Sequence, residues 1–412
     1  MKKTIFYKSL LLLFFISTFS SCGLFDDDDD KKPVDIYLVS YEKHKTYSVS
    51  QIRALLSSYA IIFPDLNNII EKVEHSIDVY KITYTTEFNG KFVTASGLVS
   101  VPLTKGTYPV ISYQNGTNTL HADAPTVKPD YQLYMLLEFI ASTGFVVAVP
   151  DYLGFGKSDD MFHPYLDKES TVQSVIDMIR ATKEFIVHYE NTEVNKDLYI
   201  IGYSQGGWAT MQLQKSIEQN HSDEFNLVAS SCGAGPYDLL YVNEYVLSQT
   251  TYPMPYYVGY IFNSYINLGD IKNPANDVFK SPYDQRIMTL FNGTKTGGEI
   301  NEQLSQTTAD LFTSDYINYS NTDVKYATII SSLAKNSVNA WKTNVPTLLT
   351  HGTADTYVPV ELSENLYKNF LSLGVDESKI TYIPIPGADH TGGIIPSQVA
   401  SFNWFLSLNN AL

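Results

Sequence analysis

The spacing of apolar residues changes character along the chain. Between residues 50 and 75, Ile52, Leu55, Leu56, Tyr59 and Ile62 recur at the interval of one helix face. That predicts a helix broken near Pro64 and followed by a second short one. From Ile77 the pattern turns β-rich over 77–87 and 91–101, with Asn89-Gly90 between the two runs. Asn-Gly accepts the positive φ of a tight turn, so the pair predicts a hairpin. Further on, short apolar runs at 110–113, 145–149, 198–203, 227–231, 347–350 and 380–385 are separated mostly by helical patterns near 129–142, 170–189, 205–219, 361–373 and 396–409. This alternation predicts an α/β fold: a mostly parallel sheet with helices on both faces, made mixed by the opening antiparallel hairpin. From Asp238 to about Ser337 no buried strand is evident. That stretch is rich in Tyr, Asn and Leu with helical fragments, and reads as a helical cap inserted before the last two strands.

The first residues have another character. Lys2, Lys3 and Lys8 precede an apolar run over 10–16, and small residues lead to Cys22. This is the layout of a secretory signal, and the run is too short to span a bilayer. Phe19-Ser20-Ser21-Cys22 resembles a bacterial lipobox, which implies that Cys22 is the lipidated first residue of the mature chain. The run Asp26 to Asp30 is a solvated, self-repelling tether, and it resembles the acidic export signal of surface lipoproteins in the Bacteroides group. The expected organisation is a signal peptide over 1–21, an acidic tether over 22–35, an N-terminal helical segment over 36–76, a core over 77–238 and 338–412, and a cap over 239–337. The expected location is the outer membrane, on its cell-surface face, with the periplasmic face or secretion as alternatives.

Composition narrows the function classes. The 412 residues are 44% hydrophobic and 17% charged, long enough and apolar enough for a sizeable core without a staple. The net charge of −16 repels phosphate backbones, so nucleic acid is not an expected partner. Two cysteines, Cys22 and Cys232, cannot make a disulfide scaffold or a thiolate metal cluster. No metal or cofactor is implied, and nothing in the sequence speaks to oligomeric state.

Gly202-Tyr203-Ser204-Gln205-Gly206 fits G-x-S-x-G, with a strand pattern before it and a helical pattern directly after. That setting suits a nucleophilic serine on a strained turn, whose neighbours two before and two after must be small. A serine hydroxyl needs a general base. In hydrolases of this type the order is serine, acid, histidine. His390 follows the last strand in a loop reading Pro386-Gly-Ala-Asp-His-Thr-Gly-Gly, where a base belongs. Asp355, after the preceding strand, is the expected acid, with Glu361 as the alternative. Asp389 adjoins His390, but neighbouring side chains diverge. His351 at the strand end reads as a packing and hydrogen-bonding residue. Acyl transfer also needs donors aimed at the developing oxyanion. The expected ones are the backbone N–H of Gln205 and that of Thr117, or alternatively Gly116, in the loop Gln114-Asn115-Gly116-Thr117.

Several stretches together resemble the secretory-lipase branch of the α/β-hydrolase superfamily: Gln114-Asn-Gly-Thr, Pro150-Asp-Tyr-Leu-Gly-Phe-Gly-Lys-Ser, His163-Pro-Tyr-Leu, Gly202-Tyr-Ser-Gln-Gly-Gly, His351-Gly-Thr-Ala-Asp and Gly387-Ala-Asp-His. The resemblance covers about residues 77–412 except the cap. It implies a carboxylic ester hydrolase with Ser204, Asp355 and His390 as its triad, working through an acyl-enzyme on a lipid, aryl or glycan ester. Asn115 stands where many relatives carry histidine. A serine peptidase of the same fold and a polysaccharide-deacylating esterase are the alternatives, and a binding lipoprotein on an inactive hydrolase fold is a third. Tyr237, Tyr241, Tyr245, Tyr252, Tyr256, Tyr257, Tyr260 and Tyr265 crowd the first part of the cap. They either line a broad amphipathic cleft or pack the cap on the core.

Overall fold

In the computed structural model, residues 34–409 are described. The signal-like segment, Cys22 and nearly all of the acidic tether lie outside them. Nine strands form one sheet: β1 (Leu38–Tyr47), β2 (Ile77–Phe88), β3 (Lys91–Pro102), β4 (Gly106–Gln114), β5 (Val146–Pro150), β6 (Thr192–Tyr203), β7 (Asn226–Gly233), β8 (Thr347–Gly352) and β9 (Ile380–Ile385). Their spatial order is β1-β2-β3-β5-β4-β6-β7-β8-β9. The pairs from β1 to β5 across β2 and β3 are antiparallel, and every pair from β5 to β9 is parallel. The β2–β3 hairpin turns at Asn89 and Gly90, both at positive φ (50° and 74°), as the Asn-Gly pair predicts.

The helices before the β7–β8 connection are α1 (Val49–Ala60), α2 (Leu66–Glu71), α3 (Gln132–Phe139), α4 (Lys168–Val187) and α5 (Gln205–Asn220). Within that connection come α6 (Leu239–Ser248), α7 (Pro255–Leu268), α8 (Tyr283–Leu290), α9 (Gly297–Asn301), α10 (Thr308–Leu311), α11 (Ser314–Tyr319) and α12 (Ala327–Asn336). Then follow α13 (Glu361–Ser372) and α14 (Ile394–Asn409).

The period-2 geometry of a strand explains why the second half of β6, residues 198–203, reads as a continuous apolar run. Leu198 and Ile200 pack on one face with Trp208 and Met211 of α5 and Val175 of α4. Tyr199 and Ile201 pack on the other with Phe145 and with Phe405 of α14. Both faces are covered, so no position needs to be polar. Each such residue buries its apolar surface at about 25 cal/mol per Å².

One expectation needs correction. The segment 36–76 is not helical throughout, because β1 occupies its first third. β1 is an edge strand with most of its side chains exposed, so its sequence carries no apolar alternation to read. It is held by its ladder to β2 and by Glu184 of α4, whose carboxylate accepts from the backbone N–H groups of Ile36, Tyr37 and Leu38 at 2.9, 2.8 and 2.7 Å.

The β7–β8 connection is helical and builds its own aromatic cluster, in which Phe262 packs on Phe279 and Tyr316, and Tyr316 on Tyr326. It is fastened to α5, since Trp208 Nε1 and Gln212 Nε2 both donate to the carbonyl of Asn336 (2.8 and 3.0 Å). The eight tyrosines do not line one cleft. Tyr237, Tyr252, Tyr256, Tyr260 and Tyr265 are buried in packing, and of the eight only Tyr257 lines the cavity at Ser204. Among the described residues no helix is long and apolar enough to cross a membrane.

Candidate active site

Ser204 sits between the end of β6 and the start of α5 with φ 60° and ψ −124°, a conformation that costs a non-glycine residue about 1–3 kcal/mol. The turn is held from both sides. Ser204 N–H donates to the Gly233 carbonyl (2.9 Å), and Trp208 N–H donates to the Ser204 carbonyl (3.1 Å). The glycines of the motif are required by contact. A Cβ on Gly202 would strike the carbonyl of Gly206, and one on Gly206 would strike the carbonyl of Gln114.

Ser204 Oγ lies 2.8 Å from His390 Nε2, and His390 Nδ1 lies 2.6 Å from Asp355 Oδ2. A carboxylate can only accept, so Nδ1 carries the imidazole proton and Nε2 is free to take one from the serine. The other oxygen, Asp355 Oδ1, accepts from the backbone N–H groups of Tyr357 and Val358 at 2.9 Å each. His351 Nε2 lies 2.9 Å from the Val358 carbonyl and 3.2 Å from Asp355 Oδ2, while Ser363 Oγ lies 2.7 Å from its Nδ1. Burial by itself pushes the Asp355 carboxyl up. The hydrogen bonds from His351 and His390, the charge of His390 and the Val358 N–H outweigh it and hold the group well below the usual carboxylate range. His390 is itself fixed by Tyr203, whose hydroxyl donates to the His390 carbonyl at 2.8 Å. Asp389 turns away and accepts from Gly392 N–H, and Glu361 stands in the first turn of α13.

The loop after β4 faces the serine, since a Cβ on Gly116 would lie 3.6 Å from the Tyr203 carbonyl and 4.0 Å from Ser204 Cβ. Thr117 Oγ1 is 2.8 Å from the Tyr165 hydroxyl. Gln205 begins α5, and its side-chain Nε2 is 2.9 Å from His163 Nε2. Asn115 is buried, its amide donates to the Pro150 carbonyl, and it stands in the wall of the cavity beside Ser204. Cys232 is buried, and that burial pushes its thiol up to about 12, which leaves it unreactive at neutral pH.

A cavity of about 420 Å³ opens on Ser204 and His390. Tyr113, Tyr131, Tyr134, Tyr203, Tyr257 and Tyr357 supply much of its wall, with Leu133, Met254 and Ile394 as aliphatic contributions. Asp123 and Lys128, paired at 2.7 Å, also line it. Tyr134 and Tyr357 carry no sequence signal as lining residues, because they come from a helix and a loop that meet only in the fold. The contact of His163 with Gln205 joins residues 42 apart and has no local signature either.

The family model described as secretory lipase matches residues 118–409. No curated protein sequence matches the chain. Among solved structures, a Legionella pneumophila protein described as a hydrolase is 26% identical with a TM-score of 0.80, covering 90% of this chain and 98% of its own. A point mutant of the rice cell wall degrading esterase LipA of Xanthomonas oryzae is 25% identical with a TM-score of 0.74, covering 92% and 99%. The fold is also that of Candida antarctica lipase A in its closed state, at 16% identity and a TM-score of 0.66, with 90% of this chain and 81% of that one covered.

Proposed function

The chain belongs to the secretory lipase family, and from that premise we propose that it hydrolyses carboxylic esters through an acyl-enzyme formed on Ser204. Family and structural neighbours support an esterase or lipase on an α/β-hydrolase fold. The observation that carries the finer reading is the unbroken hydrogen-bonded chain from Ser204 Oγ through His390 to Asp355. Ser204 attacks the ester carbonyl as His390 Nε2 takes its proton, and Asp355 stabilises the imidazolium without becoming protonated. His390 then gives that proton to the departing alcohol. A water deprotonated by His390 attacks the acyl-enzyme and releases the acid. The backbone N–H groups of Gln205 and of Thr117 or Gly116 are our candidates for binding the oxyanion, at the N-terminus of α5 where the helix dipole favours negative charge.

The cavity supports a substrate with a short acyl or aryl group, because six tyrosines line it against three aliphatic side chains, Leu133, Met254 and Ile394, too few to form an aliphatic tunnel. A glycan ester is a compatible alcohol side, since the Xanthomonas oryzae neighbour is described as degrading the rice cell wall. A peptidase reading is less well supported. The acidic side chain lining the cavity, Asp123, is already paired with Lys128, which leaves it poorly placed to hold a free amino terminus. The protein is read as exported and lipid-anchored through Cys22 at the outer membrane, facing the cell surface, on the strength of the N-terminal sequence.

The test is a p-nitrophenyl ester series from acetyl to palmitoyl, with Ser204→Ala alongside. Turnover is expected with short chains and a loss of roughly 10⁴-fold or more in the variant. Equal turnover in Ser204→Ala would remove the serine from the mechanism.

A further inference from the structure

The segment His163-Pro164-Tyr165-Leu166 takes no part in the proton relay, yet it touches both elements that flank the position where the substrate carbonyl oxygen must sit. His163 Nδ1 lies 2.7 Å from the carbonyl of Leu153. A carbonyl can only accept, so Nδ1 carries the proton and Nε2 presents a lone pair, into which Gln205 Nε2 donates at 2.9 Å. That bond fixes which way round the Gln205 amide lies, with Oε1 buried and without a partner among the described residues. The His163 ring is buried against Tyr152, Phe155, Tyr165 and Tyr260, with centroids 5.0 to 6.0 Å away. Burial lowers its pKa to about 4, so it stays neutral and remains an acceptor at neutral pH.

On the other side, the Tyr165 hydroxyl lies 2.8 Å from Thr117 Oγ1 in the loop that faces Ser204. The Tyr165 ring stacks on Tyr260 of α7 at 4.4 Å and 11°, and Tyr260 stacks in turn on Phe291 at 4.6 Å and 13°. Tyr265 of the same helix donates to the Leu166 carbonyl at 2.9 Å.

We propose that His163 and Tyr165 are positioning residues for the oxyanion hole, His163 acting through the Gln205 side chain and Tyr165 through Thr117, and that their stack on Tyr260 couples this setting to helix α7. This rests on the ester-hydrolase reading above. Oxyanion donors help only when they are already aimed at about 2.7–3.1 Å from the developing charge, and losing one outright costs roughly 10²–10³ in kcat. A donor left to wander loses part of that.

The test measures kcat and KM of His163→Phe, His163→Gln and Tyr165→Phe on the best p-nitrophenyl ester, with active sites counted by a fluorophosphonate. His163→Phe keeps an aromatic ring but removes the acceptor. It is expected to lower kcat by roughly 10- to 100-fold with KM within about threefold. His163→Gln keeps an oxygen able to accept from Gln205 and is expected to recover most of that loss. Tyr165→Phe keeps the stack on Tyr260 and is expected to lower kcat a few-fold. It carries the test alone if His163→Phe does not fold. A kcat unchanged within twofold in the folded variants, a loss borne by KM, or an equal loss in the two His163 variants overturns the proposal. Absence of turnover and of fluorophosphonate labelling in the unaltered protein would instead overturn the ester-hydrolase reading.

Discussion

Asp355 stays ionised because four hydrogen bonds, and the charge of His390 when that ring is protonated, oppose its burial. His351 and His390 share one oxygen, and Tyr357 N–H and Val358 N–H bind the other. Replacing it with asparagine keeps the shape but removes the charge that holds Nδ1–H. Asp355→Asn is expected to lower kcat by about 10⁴-fold at neutral pH, read from steady-state rates. The same contacts couple folding to pH. A carboxyl depressed in the fold contributes stability that is present above its unfolded value of about 3.9 and is lost as pH falls through the folded value. The unaltered protein is therefore expected to unfold at higher denaturant than Asp355→Asn at neutral pH, with the gap between the two midpoints shrinking below about pH 4. A gap that stays constant down to acid pH would show that the charge of Asp355 adds nothing to stability. Ser204, Asp355 and His390 are legible in the sequence because each follows a strand in a fixed order. The partners that tune them are not. His351 reads only as a strand-end residue until the 353–358 loop folds its carbonyl and carboxylate back onto the ring.

Helix α3 carries Glu138, which is buried with neither carboxyl oxygen partnered among the described residues. Burial, helped by the nearby Asp130 charge and opposed by Lys45, pushes this carboxyl up to about 8. The unfolded chain releases that proton near its ordinary value while the folded chain keeps it. Stability therefore falls as pH rises from about 4.5 to about 8 and levels off above. Glu138→Gln is expected to flatten that slope and to gain about 3 kcal/mol at pH 7 relative to the unaltered protein. Denaturant midpoints at pH 5, 7 and 9 check it, and parallel curves for the two proteins would refute it. The elements themselves are legible in proportion to their burial. β6 is buried along its second half, is covered there on both faces and reads as a run, whereas β1 is exposed along most of its length and reads as nothing in particular.

At the scale of the molecule, every group of the proposed relay comes from the end of a parallel strand on one half of the sheet: Ser204 after β6, Asp355 after β8, His390 after β9. The proposed anchor, Cys22, is none of these residues, so the proposed attachment and the proposed chemistry can be tested separately. Cys22→Ser is expected to move the protein from the membrane to the soluble fraction with kcat/KM unchanged within about twofold. Retention in the membrane fraction would remove Cys22 as the anchor. The order of strands and the helical insertion are legible as an alternation of patterns. The inward packing of the cap tyrosines is not, because a tyrosine has the same letter whether it faces a cavity or a neighbour. The edge of the sheet opposite β9 is β1, and at its start the Glu184 carboxylate grips three successive backbone N–H groups. Among the described residues, a pull on the chain from its N-terminal side meets that clamp first and the β1–β2 ladder second. Mechanical load enters the sheet at the strand farthest from β8 and β9, and the reacting groups are shielded from tension by the width of the sheet.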